Sequence, residues 1–169
     1  MSRCSDPDFD RRATFSGFAG YGAGGGVGTL LRLRQGSYMR SQAELRLPPE
    51  SIAPTLARAA IAAMASGLPA EAASDVELLT SEVVSNAVKH SKLSPSDEII
   101  VRFVMDGYVR VEVMDPGPPF DAQPTRPNLA GRDPDSSGWG LLVVDAIATS
   151  WGVESEGGGK KVWFEVGPR

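Results

Sequence analysis

Two neighbouring runs of β-forming residues constrain the fold most strongly. Residues 99–105 and 108–114 are rich in valine, isoleucine and aromatic side chains, and Asp106-Gly107 lies between them. An Asp-Gly pair between two alternating runs is typical of a β-hairpin, because both residues tolerate the backbone of a tight turn. We therefore expect the chain to build a sheet around this hairpin.

A strand and two helices are predicted before the hairpin. Residues 43–47 alternate between apolar and charged side chains, which indicates a strand. Ser51 is expected to cap a first helix that ends at Gly67, and a second helix is predicted over residues 70–91. The predicted apolar faces are Leu56, Ala60, Ala63 and Met64 in the first helix, and Val76, Leu79, Val83 and Ala87 in the second.

The elements after the hairpin complete the predicted fold class. Residues 116–137 contain six prolines and form a loop too long to be a mere connection. A third helix over residues 138–149 precedes two strands, 151–156 and 162–166, which are joined through residues 157–160. This order predicts an α+β protein, a two-layer α/β sandwich with a mixed, mostly antiparallel sheet and helices on one face.

The first 40 residues differ in composition from the rest of the chain. Seven glycines fall between Gly17 and Gly28, and no apolar periodicity is visible there. Such a segment buries too little apolar surface to offset the entropy lost on ordering. We expect residues 1–40 to form a Gly-rich, disordered tail and residues 41–169 to form the domain.

Charge and cysteine content exclude several functional classes. The net charge is −4, so we expect no direct contact with nucleic acid or with an anionic membrane. The single cysteine, Cys4, allows neither an internal disulfide nor a Cys-based zinc site. Because no signal peptide or membrane-spanning stretch is visible, we expect a cytoplasmic protein.

A polar ridge marks the second helix. Glu82, Asn86 and His90 recur every four residues and therefore share one face. The ridge is either a solvated surface or a carboxylate base set one turn from an amide oxygen that binds Mg²⁺; asparagine is costly to bury without such a reason. His90 is expected to lie at the helix C-terminus, where positive charge is favourable.

Two further motifs lie beside the predicted elements. Asp115 follows the hairpin and most commonly would make an Asx turn; alternatively, its carboxylate accepts a hydrogen bond from an exocyclic amine while Gly117 lets a planar base approach. Gly138 and Gly140 begin the third helix, where free backbone N–H groups favour an anion. The alternative there is a capped helix after a flexible loop.

Taken together, the three motifs resemble one family. Glu82…Asn86, Asp115-x-Gly117 and Gly138-x-Gly140-Leu141 are similar, in that order, to the N, G1 and G2 boxes of the GHKL ATPases, which have the Bergerat, histidine-kinase-like fold. The closing stretch, which contains Gly159-Lys160-Lys161-Val162-Trp163, is similar to the anti-sigma-factor serine/threonine kinase branch. The resemblance covers about residues 41–168.

The resemblance implies ATP and Mg²⁺ as ligands and a role for each motif residue. Glu82 would be the general base toward a protein hydroxyl, and Asn86 would bind Mg²⁺. Asp115 would pair with the adenine amino group, and Gly117 would make room for the base. The phosphates would be bound by backbone amides of Gly138, Gly140 and Leu141, beneath an ATP lid formed by residues 118–137.

Two positions depart from the family pattern. Pro119 replaces the last glycine of the Asp-x-Gly-x-Gly pattern, which fixes φ, removes an N–H and predicts a stiffer base of the lid. Lys161 stands where the family often has threonine, and it is expected to remove a hydroxyl near the adenine end and to add a charge there.

The implied function is a protein serine/threonine kinase that acts as an anti-sigma factor. Such a protein holds a sigma factor, phosphorylates an antagonist protein and, in this family, often forms a homodimer. One alternative is a catalytically weak or inactive nucleotide-sensing module of the same fold. Another is the catalytic domain of a two-component histidine kinase, which the sequence favours less because it lacks a helical phosphoacceptor hairpin.

Overall fold

The computed structural model describes residues 32–35, 41–118 and 139–167. Within these ranges the chain forms six strands and three α-helices, and a short 3₁₀ turn follows the first helix. In chain order they are β1 (Arg32–Gln35), β2 (Ser41–Leu47), α1 (Ala53–Met64), the 3₁₀ turn (Ala65–Gly67), α2 (Ala70–His90), β3 (Ile99–Met105), β4 (Val109–Asp115), α3 (Trp139–Ile147), β5 (Ser150–Glu156) and β6 (Gly159–Val166).

The six strands form one sheet in the order β1-β2-β3-β4-β6-β5. Every pairing between these strands is antiparallel, and the predicted hairpin joins β3 to β4. Gly157 and Gly158 connect β5 to β6 with φ values of 60° and 86°, as a two-residue hairpin turn requires. The predicted α+β class and antiparallel character are confirmed.

The helices cover one face of the sheet, and the core lies between the two layers. Adjacent strands place Leu45, Val101, Val113 and Val162 side by side in one buried row. Helix α2 packs against β4 and β6, and α1 packs against β2. The predicted apolar face of α2 is confirmed, since all four of its residues are buried. We call this side of the sheet the covered face.

The other side of the sheet, here called the open face, carries matched charges. Arg102 contacts Glu44 at 3.2 Å. Arg110 contacts both Glu112 at 2.9 Å and Glu165 at 2.7 Å. These side chains are partly exposed, so solvent screens their interactions and each pair adds little to stability.

Helix α1 differs from its prediction at its start and in its buried face. It begins at Ala53 with Ile52 at the N-cap, and no side chain caps it, so the predicted Ser51 cap is wrong. The fully buried residues are Ala53, Ala57 and Ile61, whereas Leu56, Ala60 and Met64 of the predicted stripe are partly buried against the core and Ala63 is exposed. An alanine-rich helix is apolar on several sides, so packing against β2 and α2 decides which side is buried.

Strand β1 falls inside the segment predicted to be a tail. It pairs with β2 at the edge of the sheet, so ordered structure begins before residue 41. Leu31-Arg32-Leu33-Arg34 alternates apolar and charged residues, a short strand signal that the glycine-rich composition of the preceding residues outweighed. The other residues of the predicted tail, and the predicted lid from Pro119 onward, lie outside the described residues. In the described ranges, no helix has the length and apolar character to cross a bilayer.

Candidate functional site

A cavity of about 210 Å³ opens on the covered face, where α2 and α3 meet the ends of β4 and β6. Its lining combines apolar side chains with a few polar ones. The lining residues are Val83, Asn86, Ala87, His90, Val113, Asp115, Leu141, Lys160 and Val162. Asn86, Asp115 and Leu141 come from the three predicted motifs, so the fold brings one residue of each motif to a single cavity.

Asp115 is the last residue of β4, and its side chain is only 1% exposed. One carboxylate oxygen, Oδ1, accepts a hydrogen bond of 2.8 Å from the backbone N–H of Gly117. This is the Asx-type turn that the sequence allowed. The other oxygen, Oδ2, is buried and has no hydrogen-bond partner among the described residues. Because a buried acceptor without a donor is costly, Oδ2 is suited to a donor on a ligand.

Gly117 fits the loop after β4 tightly against its neighbours. A Cβ atom at this position would lie 2.6 Å from Cβ of Ser91 and 2.7 Å from Oδ1 of Asp115. Both distances are far below van der Waals contact, so a larger residue would displace the loop. Glycine therefore allows the loop to pack closely beside Asp115, where the sequence predicts room for a base.

Lys160 lies directly opposite Asp115 in the pairing of β4 with β6, so both side chains are on the covered face. Its Nζ donates a hydrogen bond of 2.5 Å to Oγ of Ser91 and lies 3.5 Å from Oδ2 of Asp115. The separation of 3.5 Å from Oδ2 is longer than a charge-assisted hydrogen bond, which is about 2.7–2.9 Å. The ammonium thus balances the charge of Asp115 without hydrogen bonding to Oδ2.

Sequence reasoning assigned no role to Lys160 because it placed residues 157–160 in a connection. The structure starts β6 at Gly159, so Lys160 shares the inward phase of Val162, Phe164 and Val166. A lysine in phase with buried apolar residues was the signal that could have identified it.

Lys161 does not reach the cavity, and the expectation that it adds a charge near the adenine end is wrong. Its Nζ contacts Glu154 at 2.8 Å and Glu156 at 2.7 Å on the open face. Successive strand residues point to opposite faces, so a substitution at 161 cannot act where Asp115 lies.

Asn86 is half-buried and lies where α2 meets α3. A Cβ atom at Gly140 would lie 2.6 Å from Nδ2 of Asn86, so a larger residue there would displace the Asn86 side chain. Leu141 follows and lines the cavity. Helix α3 begins at Trp139, and Gly138 lies outside the described residues.

The other two residues of the α2 ridge differ in position. Glu82 is half-buried, one turn before Asn86, and does not line the cavity. His90 does line it, at the end of α2. Partial burial lowers the pKa of His90, and the nearby positive charges of Lys160 and Lys89 lower it further. The predicted position of His90 at the C-terminal end of α2 is confirmed.

The cavity fits an adenine nucleotide in the chemistry of its lining. It offers a carboxylate oxygen of Asp115 that has no hydrogen-bond partner among the described residues, and apolar walls from Val83 and Val113. An amide oxygen of Asn86 could be one ligand of a Mg²⁺ ion that also binds phosphate oxygens and water. The described residues contain no cluster of three or more His, Cys, Asp or Glu side chains that could hold a metal alone.

Comparison with known proteins agrees with this fold. The sequence matches the histidine kinase-like ATPase domain over residues 45–166, from β2 to the end of β6. An uncharacterized protein of Streptomyces coelicolor is 33% identical over 84 residues, which cover 50% of this chain and 77% of that protein.

The fold is also similar to that of a solved structure. The RsbU and RsbW domains of Rv1364c from Mycobacterium tuberculosis superimpose with a TM-score of 0.55 and 21% identity, over 73% of this chain and 32% of that one. This chain thus spans about a third of that structure. A histidine kinase domain from Erythrobacter litoralis EL346 gives a TM-score of 0.45 and 23% identity, over 71% of this chain and 61% of that one.

The family match confirms the resemblance to the histidine-kinase-like GHKL ATPases that the three motifs indicate. It runs from residue 45, within β2, to the end of β6, and it includes the residues that line the cavity. ATP binding follows from membership in an ATPase domain family. The chain belongs to the histidine kinase-like ATPase domain family.

Proposed function

We propose that the protein binds Mg·ATP in this cavity and acts as an anti-sigma-factor serine/threonine kinase that phosphorylates an antagonist protein. The observation that carries the proposal is the buried Oδ2 of Asp115, which has no hydrogen-bond partner among the described residues. It lies in a cavity that Asn86 and Leu141, from the other two motifs, also line. One cavity thus holds the groups expected for base, metal and phosphates.

Asp115 recognises the base in this proposal. Its Oδ1 is already bound to the Gly117 N–H, which fixes the orientation of the carboxylate before any ligand arrives. Oδ2 then accepts a hydrogen bond from the exocyclic amine of adenine. A preorganised, buried acceptor binds a donor more tightly than an exposed one, because less conformational freedom is lost on binding.

Asn86 binds the metal in this proposal. A neutral amide oxygen is a suitable ligand for Mg²⁺, which usually keeps several waters and contacts substrate phosphates. Asn86→Ala should therefore weaken binding of Mg·ATP more than binding of metal-free ATP, and calorimetry with and without Mg²⁺ measures both. An equal loss in the two titrations would show that Asn86 only supports the packing of α2 against α3.

Glu82 is the proposed general base. It lies on α2 one turn before Asn86, outside the cavity lining. The bound nucleotide supplies the phosphoryl group, and Glu82 orients the attacking hydroxyl and accepts its proton. Positioning and charge neutralisation dominate phosphoryl transfer, so the carboxylate of Glu82 need not contact adenine or the ribose.

The experiment compares Glu82→Gln with Glu77→Gln, a matched change on the same helix. Transfer of ³²P from ATP to candidate antagonists should fall about 10²- to 10⁴-fold for Glu82→Gln, which is the usual contribution of a general base. ATP affinity should stay near the wild-type value in both variants, and Glu77→Gln should keep full transfer. Equal transfer by both variants would remove Glu82 from the mechanism.

The position of Glu82 outside the cavity lining also favours a second function. A nucleotide-sensing binding module of the same fold would bind ATP and hold a partner without transferring phosphate. Tight ATP binding with no transfer by the wild-type protein to any candidate would support this module. A pull-down from native lysate with and without Mg·ATP tests the partners, which we propose are a sigma factor and its antagonist.

A further inference from the structure

The buried Lys160 has no role in the function proposed above. It is one of two charged side chains in the buried part of the described residues, and the other is Asp115. Burying an ammonium is costly unless it is paired and hydrogen-bonded. Lys160 is nevertheless buried beside Oδ2 of Asp115, the oxygen that would accept a hydrogen bond from adenine.

The position of the ammonium is fixed from two directions. The register of β4 and β6 sets Lys160 opposite Asp115, and the bond of 2.5 Å to Oγ of Ser91 fixes the end of the side chain. Ser91 in turn packs against Gly117, in the loop after β4. Lys160 is also one of the residues that line the cavity.

A carboxylate and an ammonium side by side form an acceptor–donor pair. Adenine presents the complementary pair, because its amino group donates and a ring nitrogen on either side of it accepts. The side-chain amide of asparagine or glutamine reads adenine with the same combination of one acceptor and one donor. Guanine presents two acceptors, O6 and N7, on the corresponding major-groove edge and so lacks the donor that Asp115 needs there.

We propose that Lys160 is a second base-reading residue, whose ammonium donates to the ring nitrogen beside the adenine amino group while Asp115 accepts from that group. This inference rests on the proposed function, because it requires nucleotide binding at this cavity. Nζ has three N–H donors, so it can serve the base while it still donates to Ser91. The 3.5 Å between Nζ and Oδ2 leaves each group able to meet a different atom of the base.

The test uses nucleotide analogues on the unmodified full chain, so it does not depend on a variant that folds. Calorimetry compares ATP with 1-deaza-ATP and 7-deaza-ATP, which each replace one flanking ring nitrogen by a C–H group. One of the two analogues should bind about 10- to 100-fold more weakly than ATP, the range for a lost hydrogen bond to a charged group. Equal affinity for all three nucleotides overturns the proposal.

Two variants then assign the effect to one side chain. In Lys160→Met the sensitive analogue and ATP should bind equally, because the donor that distinguished them is gone. Lys161→Met removes the same charge from the neighbouring position on the open face, and it should keep the full difference between ATP and the analogue. Full discrimination by a folded Lys160→Met protein also overturns the proposal.

A fourth ligand, purine riboside triphosphate, separates the two proposals. It lacks the amino group, so it should bind more weakly than ATP whenever Asp115 reads the base. Weaker binding of this ligand with no loss for either deaza analogue would leave the proposed function standing and refute the role of Lys160. Absence of ATP binding would refute both.

Discussion

Lys160 and Lys161 are neighbours in β6, yet their ammonium groups lie on opposite faces of the sheet. The side chain of Lys161 contacts two glutamates on the open face, at 2.8 and 2.7 Å. Lys160 is 4% exposed on the covered face, and its distance to Asp115 is 3.5 Å. Lys161 therefore forms two close ion pairs with carboxylates on the open face, whereas Lys160 lies farther from Asp115 on the covered face.

This difference shows where the fold buries a polar group at a cost in free energy. On the open face the charges are matched pair by pair, and solvent reaches them, so little free energy depends on any one pair. On the covered face a buried carboxylate oxygen has no hydrogen bond among the described residues. Local departures from good packing and pairing are expected at functional sites. The longer separation between Lys160 and Asp115 therefore indicates a functional site, and the close ion pairs on the open face indicate a structural role.

The largest effect is expected from the apolar part of the covered face. Phe164 is fully buried in β6, between the positions of Val162 and Val166. Phe164→Ala should reduce the free energy of unfolding by about 3–5 kcal/mol, because it removes buried area and leaves a cavity. Urea denaturation monitored by circular dichroism measures the loss. A loss below about 1 kcal/mol would contradict a core that lies only on this face.

A smaller effect is expected in the loop that follows Asp115. Gly117→Ala forces a Cβ atom against Ser91 and Asp115, so it should cost about 1–3 kcal/mol of stability and weaken ATP binding. Gly67→Ala is the control, because a Cβ atom there meets nothing within 4 Å. Denaturation and calorimetry on both variants give the comparison. Normal ATP affinity in Gly117→Ala would show that the base does not bind beside this loop.

The smallest effect is expected on the open face. Arg110 forms ion pairs with Glu112 and Glu165, and its guanidinium lies 4.1 Å from the ring centroid of Trp163. Arg110→Met should cost only about 0.5–1.5 kcal/mol, since exposed pairs and cation–π contacts are each weak. The difference from wild type should shrink in high salt. A cost as large as that of Phe164→Ala would contradict the contrast between the faces.

Much of the fold could be predicted because strands and helices each have a characteristic spacing of apolar residues. The hairpin around Asp106-Gly107 and the buried face of α2 followed from alternation and from four-residue spacing. The buried face of α1 followed only in part, since half of this helix is alanine and it has no single apolar side. Edge strand β1 was missed for a different reason, because its short alternation at residues 31–34 follows a long glycine-rich segment.

The site could be predicted only in part. The order of the three motifs indicated that Asp115, Asn86 and Leu141 belong together, and the fold places them around one cavity. The roles of Lys160 and Lys161 were not predictable without the start of β6, because a shift of one residue exchanges their faces. Gly159 approaches the backbone carbonyl of Asp115 so closely that a Cβ atom would overlap it. That contact, which depends on tertiary packing, helps to set Lys160 opposite the carboxylate.

The central claim is that Oδ2 of Asp115 receives the amino group of adenine. Asp115→Asn keeps the shape of the side chain and can still accept the Gly117 N–H bond, but it puts an amide donor where the acceptor oxygen was. Calorimetric titration of ATP into both proteins, with urea denaturation to show that the variant is folded, is the direct measurement. We predict that affinity falls about 10- to 100-fold. Wild-type affinity in the folded variant would contradict the claim.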